Sequence, residues 1–315
     1  MTRGSKGRRG NMPSKKSEQK EKKDNSTLGK IKEFYIKEYK KLFLIPIILF
    51  LISGIVLFSG YVQTGEFIKR DVSLKGGISV TINTDYSNIN EFETYLFTSL
   101  PDASLNIRTV ESRGTVTGII IEATDVEESL LIETIAQKIT LTKENYSVET
   151  MGSSLGESFF KQMFIAVILA FVAMGFVFQY YFKNRYATFA ALFSAFMDIF
   201  ITLGIMDLLG LRLTAGGIAA YLMLIGYSID TSILISTKLL KEKNELRKAI
   251  FSAMKTGFTM SAAGIAATGI SFLLTNNSTL KQIMLILIVG LFMDLITTWI
   301  GNVGFLRMQM EKAQK

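Results

Sequence analysis

The chain has 315 residues, of which 49% are hydrophobic, and its mean hydropathy is +0.32. Long apolar blocks account for the excess, which indicates a membrane protein. Cysteine and histidine are both absent, which excludes disulfides, thiolate metal sites and catalysis by a Cys or His side chain. Any proton handling therefore falls to Asp, Glu, Lys or Tyr. We expect no enzymatic activity, no metal and no cofactor.

The net charge of +8 is unevenly distributed. Residues 1–41 carry 14 Lys/Arg against 5 Asp/Glu, whereas residues 61–158 carry 7 against 15. The chain therefore divides into a basic tail, an acidic lobe and a membrane body. Because a membrane span follows the basic tail at once, its charge is typical of a cytoplasmic flank. The lipid bilayer, and not nucleic acid, is the expected partner of this tail.

The first 61 residues predict three segments. Residues 1–27 are polar, lack an apolar period and are predicted to be disordered. Residues 28–41 place apolar side chains near one helical face and lysines on the other, which favours an amphipathic helix at the membrane surface. Residues 42–61 form the first predicted transmembrane helix.

Residues 66–150 are predicted to form a compact α+β domain between the first and second membrane helices. Alternating apolar residues indicate strands, and two amphipathic stretches indicate helices. The predicted strands are 76–83, 103–112, 115–123 and 145–151, and the predicted helices are 88–99 and 125–140. The order β-α-β-β-α-β is that of the ferredoxin-like unit.

Five more membrane helices are predicted in residues 159–303, followed by a tail at 304–315. Their expected ranges are 159–180, 187–208, 215–236, 256–275 and 282–303. The loops on one side of the membrane are basic, and those on the other side carry only Arg212 and Lys281. By the positive-inside rule, both termini and the final tail are cytoplasmic, and residues 66–150 are extracytoplasmic.

Asp230 lies deep inside the apolar run 215–236. A carboxylate at that depth costs roughly 3 kcal/mol on insertion scales, so it is expected to face a helix bundle or a wet cavity, or to be protonated. A crowded, polar inner face is predicted around it from its neighbours Gly226, Tyr227, Ser228 and Thr231. Asp230 is interpreted as a proton relay, with a structural aspartate bonded to a neighbouring helix as the alternative.

Two further features accompany Asp230. The predicted fifth membrane helix is rich in small and hydroxyl residues, which predicts close contact with the fourth and places Ser261 or Thr268 opposite Asp230. Asp294 is followed one turn later by Thr297 and Thr298, which indicates a second buried polar cluster, either structural or a relay. Asp198 is expected to be mainly structural.

Several stretches together resemble the SecF family of the Sec protein-export machinery, particularly its archaeal form. They are LMLIGYSIDTSILISTKLLK around Asp230, DVSLKGGISVTI at the start of the outer domain, MGSSLGESFFKQ before the second membrane helix, and KTGFTMSAAGIAATG and GLFMDLITTWIGNVG in the last two. The similarity covers about residues 30–310. The leading motif of the outer domain contains Asp71, Gly76 and Gly77.

The resemblance implies a half-unit of the RND transporter superfamily, with six membrane helices and an outer domain after the first. It implies a sister subunit, SecD, beside the SecY channel, and a role in moving and releasing secreted polypeptides in the plasma membrane. In bacteria this role is linked to the proton gradient. Bacterial members carry Asn-Asp after GYS-x, so the acid of this chain, Asp230, stands one position earlier and is rotated by roughly 100°. The alternative is a stand-alone RND-type half-transporter for lipids or small molecules.

Overall fold

The computed structural model of the chain describes residues 27–86, 88–112, 115–142, 144–241, 246–275 and 277–313. The predicted disordered tail lies outside these residues, except for Thr27, where the first helix begins. Six helices are long and apolar enough to cross a membrane, which confirms the predicted polytopic helical fold. They are Tyr39–Val62, Ser154–Phe182, Arg185–Leu208, Ala215–Leu239, Arg247–Leu274 and Thr279–Gln309.

The first membrane helix is preceded by a surface segment. The successive helices are α1 (Thr27–Lys37), α2 (Tyr39–Leu42) and α3 (Leu44–Thr64). Gly65 ends α3 in the left-handed region, with φ of 74°, and its N–H bonds to the carbonyl of Tyr61. Glycine adopts this conformation without a steric penalty, so the chain leaves the membrane helix sharply at this residue.

The outer domain has the predicted β-α-β-β-α-β order. Its elements are β1 (Gly77–Ile82), α5 (Ile89–Ser99), β2 (Ser104–Ser112), β3 (Thr115–Thr124), α6 (Glu128–Ala136) and β4 (Tyr146–Met151), preceded by the short helix α4 (Val72–Lys75). The sheet is antiparallel with strand order β2-β3-β1-β4, as in the ferredoxin-like unit. Helix α6 begins at Glu128 and not at residue 125, because Asp125 adopts a φ of 61°.

Alternation along β1 and β3 separates the two faces of the sheet. Val80 and Ile121 are fully buried beneath α5 and α6, where Phe92 and Leu131 complete the domain core. The opposite face carries Glu122, which is also buried. Successive strand residues point to opposite faces, so Glu122 is buried on the face of the sheet that does not carry α5 and α6.

The membrane body follows the outer domain. Its helices are α7 (Ser153–Phe182), α8 (Arg185–Leu208), α9 (Ala215–Lys241), α10 (Leu246–Leu274), α11 (Ser278–Ile296) and α12 (Val303–Ala313), with the π-helical segment Thr297–Asn302 joining the last two. π-helical turns are rare and are frequently found at functional sites. The π-helical segment directly follows the turn of α11 that carries Asp294.

Helices α8, α9 and α11 supply most of the buried membrane core, whereas α10 is exposed over much of its surface. The buried stripe of α10 includes Ala249, Ala253, Gly257 and Ser261. A Cβ atom on Gly257 would overlap the ring of Trp299, so α10 approaches the sixth membrane helix closely through this stripe. The small residues of the fifth membrane helix therefore pack against the sixth membrane helix. The sequence had predicted this contact with the fourth membrane helix only.

Candidate functional site

Asp230 lies on an exposed face of α9. The same face carries Met223, Gly226 and Tyr227, at the spacing of successive helical turns. The described residues offer the Asp230 carboxylate no hydrogen-bond or ion-pair partner. Asp230 therefore does not face the interior of the bundle that the described residues of this chain form. We call Met223, Gly226, Tyr227 and Asp230 the uncovered α9 stripe.

The polar residues predicted to surround Asp230 divide between two faces. Gly226 and Tyr227 share the uncovered α9 stripe, whereas Ser228 and Thr231 are buried on the other side of the helix. A step of one residue turns a helical side chain by about 100°, which is enough to separate Asp230 from Thr231. The buried members therefore belong to the neighbourhood of a different carboxylate.

That carboxylate is Asp294, which is fully buried on α11. The hydroxyl of Thr298 donates to its Oδ1 at 2.7 Å. The hydroxyl of Thr231 lies 3.2 Å from its Oδ2 and 3.0 Å from the carbonyl oxygen of Tyr227, so its single proton serves one acceptor at a time. Ser194 extends the cluster, with its hydroxyl 3.4 Å from that of Thr298. The structure thus brings α8, α9 and the sixth membrane helix together at Asp294.

Asp198 on α8 is the second fully buried carboxylate of the membrane body. Neither of its oxygens has a hydrogen-bond partner among the described residues. Thr202, one turn along, donates its proton at 2.7 Å to the Asp198 backbone carbonyl and not to the carboxylate. Ser194, one turn before Asp198 on α8, contacts Thr298, which donates to Asp294, so the two buried carboxyl groups lie in the same part of the bundle. No functional role for Asp198 is apparent from the sequence, because a lone acid in an apolar run carries no local sign of its neighbours.

Neither Ser261 nor Thr268, the residues predicted to lie opposite Asp230, forms a hydrogen bond with it among the described residues. Ser261 belongs to the buried stripe of α10. Thr268 donates within its own helix, to the carbonyl of Gly264 at 2.8 Å. A threonine that bonds to the carbonyl one turn back satisfies its hydroxyl locally, so it does not need a partner on the next helix.

The leading motif of the outer domain is a structural joint. Asp71 caps α4 by accepting from the Ser73 N–H at 3.1 Å. Gly76 and Gly77 have φ of 89° and 125°, and a Cβ on Gly77 would lie 2.6 Å from the carbonyl oxygen of Ala123. A Cβ on Gly156, in α7, would lie 2.7 Å from the Gly76 nitrogen. The two glycine-containing motifs noted in the sequence are therefore in contact.

A buried ion-pair network, centred on Glu122, joins the outer domain to the membrane body. Arg212, in the turn between α8 and α9, places its Nη1 2.7 Å from Oε2 of Glu122. Arg108 on β2 pairs with the other Glu122 oxygen and lies 3.8 Å from Asp71. Burial raises the pKa of Glu122, and the two arginines oppose that shift. The sequence analysis missed this network, because its members are far apart along the chain.

Backbone hydrogen bonds also join the outer domain to the membrane body. The Asp71 N–H donates to the carbonyl of Leu213 at 2.9 Å, and the Leu213 N–H donates to the carbonyl of Lys69 at 2.7 Å. Lys69 also pairs with Asp207 at 3.1 Å, at the end of α8. The strand that leads into the outer domain is thus fixed to the turn between the third and fourth membrane helices. A movement of these helices would be transmitted to the sheet.

The described residues contain no group of three or more Asp or Glu side chains that could hold a metal ion. Carboxyl groups in such a bundle can bind and release protons. Asp198 and Asp294 lie inside the bundle and Asp230 lies on the uncovered α9 stripe, whereas Glu157 and Asp207 lie at the ends of their membrane helices.

Comparison with known proteins identifies the family. Residues 131–312 match the family described as protein export membrane protein SecD/SecF, C-terminal. The protein-export membrane protein SecF of Pyrococcus furiosus is 31% identical over 294 residues, covering 92% of this chain and 98% of that protein. That of Methanocaldococcus jannaschii is 34% identical over 285 residues, covering 86% and 96%.

Solved structures agree in fold. The crystal structure of SecDF from Thermus thermophilus, described as a translocon-associated membrane protein, superposes with a TM-score of 0.71 at 16% sequence identity. The match covers 87% of this chain but only 38% of that one, so this chain spans well under half of the SecDF polypeptide. With the family match and the archaeal relatives, these findings lead to one conclusion: the chain belongs to the SecD/SecF family of protein-export membrane proteins.

Proposed function

We propose that the chain is an accessory membrane subunit of the Sec protein-export machinery, working beside the SecY channel with a SecD-like sister subunit. It assists the movement and release of secreted polypeptides and performs no covalent chemistry. The observation that carries the proposal is the uncovered α9 stripe, which presents a carboxylate within a membrane helix. Family membership and the archaeal SecF relatives support the same role.

The stripe favours a protein partner over lipid. A carboxylate facing hydrocarbon costs about 2.5–3.5 kcal/mol on insertion scales. A Cβ built on Gly226 meets no atom within 4 Å, so there is room for another helix beside it. α10, which packs against α9, also exposes Ala262, Ala263, Ala266 and Ala267. Small residues allow helix backbones to approach closely, and a sister subunit of the same family is the occupant that shelters Asp230.

Proton coupling is the second part of the proposal, with Asp230 and Asp294 as the relay residues. Thr231 follows Asp230 on α9 and contacts Asp294, so it connects the uncovered stripe with the interior. A change in the protonation of Asp230 at the subunit interface would alter how α9 packs against α11. Such a change between two arrangements of a helix pair is the physical means of coupling protons to movement.

The outer domain is proposed to lie outside the cytoplasm and to contact the emerging polypeptide. A groove of about 590 Å³ runs between β2 and the adjacent ends of the membrane helices. Ile107, Leu211 and Phe272 give it apolar walls, and Arg108, Lys281 and Glu93 add charges. β2 is an edge strand with one neighbour among the described strands, so its free edge can meet an extended chain.

Affinity purification from membranes, combined with secretion into vesicles, tests the proposal. Recovery of a sister six-helix subunit together with the channel supports it, whereas a homo-oligomer alone favours the stand-alone half-transporter. The topology is tested separately, because the chain has no native cysteine. Asp102→Cys should react with a membrane-impermeant thiol reagent from outside the cell, and Lys183→Cys only after the membrane is opened. Both residues are exposed.

A further inference from the structure

Asp198 and Asp294 have opposite surroundings although both are fully buried. Two hydroxyl groups, those of Thr298 and Thr231, point to the oxygens of Asp294. No described residue donates to either oxygen of Asp198. Hydroxyl donors stabilise an ionised carboxylate, whereas complete burial without a donor favours the neutral acid. The two carboxyl groups are therefore held in different protonation states.

The charges around Asp198 strengthen this difference. α8 contacts α3, α7, α9, the sixth membrane helix and its π-helical segment. Among their described residues, Asp294 is the buried carboxyl group near Asp198, because Ser194, one turn before Asp198, lies 3.4 Å from Thr298, which donates to Asp294. The buried Arg307 of α12 lies over the ring of Tyr39. Asp230 lies on the exposed face of α9, and Lys69 pairs with Asp207 at the far end of α8. Two neighbouring carboxylates cannot both be ionised in a dry interior without a positive partner.

We propose that this chain holds a proton-binding site of its own, in which Asp198 is protonated at neutral pH and Asp294 is the ionised acceptor. Both of its carboxyl groups are buried inside this chain, whereas Asp230 is on the uncovered α9 stripe. A proton passing from Asp198 to Asp294 would leave the negative charge on α8 and free the hydroxyls of Thr298 and Thr231. Any part that this transfer plays in export rests on the proposed function, but the bound proton itself does not.

Infrared spectroscopy of the purified full-length chain in lipid, with isotope-labelled aspartate, tests the site. A carbonyl-stretching band of a protonated aspartic acid is expected at pH 7. It should persist in Asp230→Asn, which removes the carboxyl group on the uncovered α9 stripe, and it should be lost when Asp198→Asn is added to that variant. The proposal is overturned if Asp230→Asn has no such band at pH 7, or if the band survives in a folded Asp198→Asn/Asp230→Asn variant.

The variant Asp294→Asn provides a second test of the proposal, which does not depend on whether Asp198→Asn folds. Removing the neighbouring negative charge makes Asp198 easier to ionise. The pH at which the band disappears is therefore expected to fall by about one unit or more. An unchanged midpoint would overturn the proposal. Loss of secretion with an unchanged band would count against the export role alone, so the two failures are distinguishable.

Discussion

The Nη1 atom of Arg212 lies 2.7 Å from Oε2 of Glu122 and thereby ties the turn between α8 and α9 to the sheet of the outer domain. Arg212 is one of only two basic residues that the sequence placed on that side of the membrane body. Glu122 belongs to β3, on the face of the sheet opposite α5 and α6. The pair therefore links the outer domain to the membrane body through two residues that are far apart in the sequence.

The stability that Glu122 contributes to the folded chain depends on pH. Because burial raises the pKa of Glu122, the folded chain favours its protonated form. The stability contributed by this group is present below the ordinary glutamate pKa, about 4.3, and is lost as pH rises through the raised value. The free energy of unfolding of Glu122→Gln, which cannot ionise, should therefore rise relative to that of the native chain as pH increases above about 4.3. Denaturant unfolding of the detergent-solubilised protein measures the difference.

The control for Glu122 is Glu149→Gln, since Glu149 is exposed on β4. Its unfolding free energy should run parallel to that of the native chain across the same pH range. If the difference between Glu122→Gln and the native chain stayed constant with pH, burial would not be the dominant influence on this carboxyl group.

Gly156 is predicted to be intolerant of any side chain. Its added Cβ would lie 2.7 Å from the backbone nitrogen of Gly76, and a backbone atom cannot move aside as a flexible side chain does. Gly156→Ala should lower the free energy of unfolding by about 1–3 kcal/mol. Gly269→Ala is the matched control, because Gly269 also lies inside a helix, α10, and an added Cβ meets nothing within 4 Å there, so the free energy of unfolding should not fall. Equal effects at the two positions would contradict this account of the joint.

Thr298 is predicted to stabilise the buried Asp294 carboxylate. Replacing it by valine preserves its shape but removes the 2.7 Å hydrogen bond. Leaving a buried acceptor without this donor should cost about 1–3 kcal/mol in thermal or denaturant unfolding. Thr298→Ser retains the hydroxyl and should recover most of that loss. If valine and serine behaved alike, the hydrogen bond would not be responsible.

Asp230→Asn separates the scaffold role from the relay role. The side chain is exposed in this chain, so the unfolding free energy should change by less than about 0.5 kcal/mol. Association with the sister subunit should persist, because asparagine can still hydrogen-bond across the interface. Secretion into vesicles should fall to the level measured without a proton gradient. Undiminished secretion with a full response to the gradient would remove Asp230 from the relay.

The architecture could be predicted from the sequence because its signals are local. Alternation in residues 77–82 and 115–124 marked the strands, and long apolar runs marked the six membrane helices. The position of Asp294 in a polar cluster was also predictable, since Thr298 is its neighbour one turn along the same helix. In each case the residues that define the feature are near one another in the chain.

The orientation of Asp230 could not be predicted in the same way. An apolar run has no polar face to show which side of the helix is covered, and Asp230 and Thr231 differ by one step along α9. The unpaired carboxyl of Asp198 and the Glu122–Arg212 pair depend on helices and strands that meet only in the folded chain. Their sequence separation leaves no periodic signal, so the structure was needed to find them.

Site-specific photocrosslinking from the uncovered α9 stripe tests the central claim most directly. A crosslinker at Met223 is expected to capture a sister six-helix subunit of the same family, while one at Phe176, which is 74% exposed on α7, should yield lipid adducts. Capture of that subunit from Met223 and not from Phe176 would agree with an export subunit whose membrane carboxylate is sheltered by its partner. Lipid adducts alone at both positions, or a second copy of this chain at Met223, would contradict it.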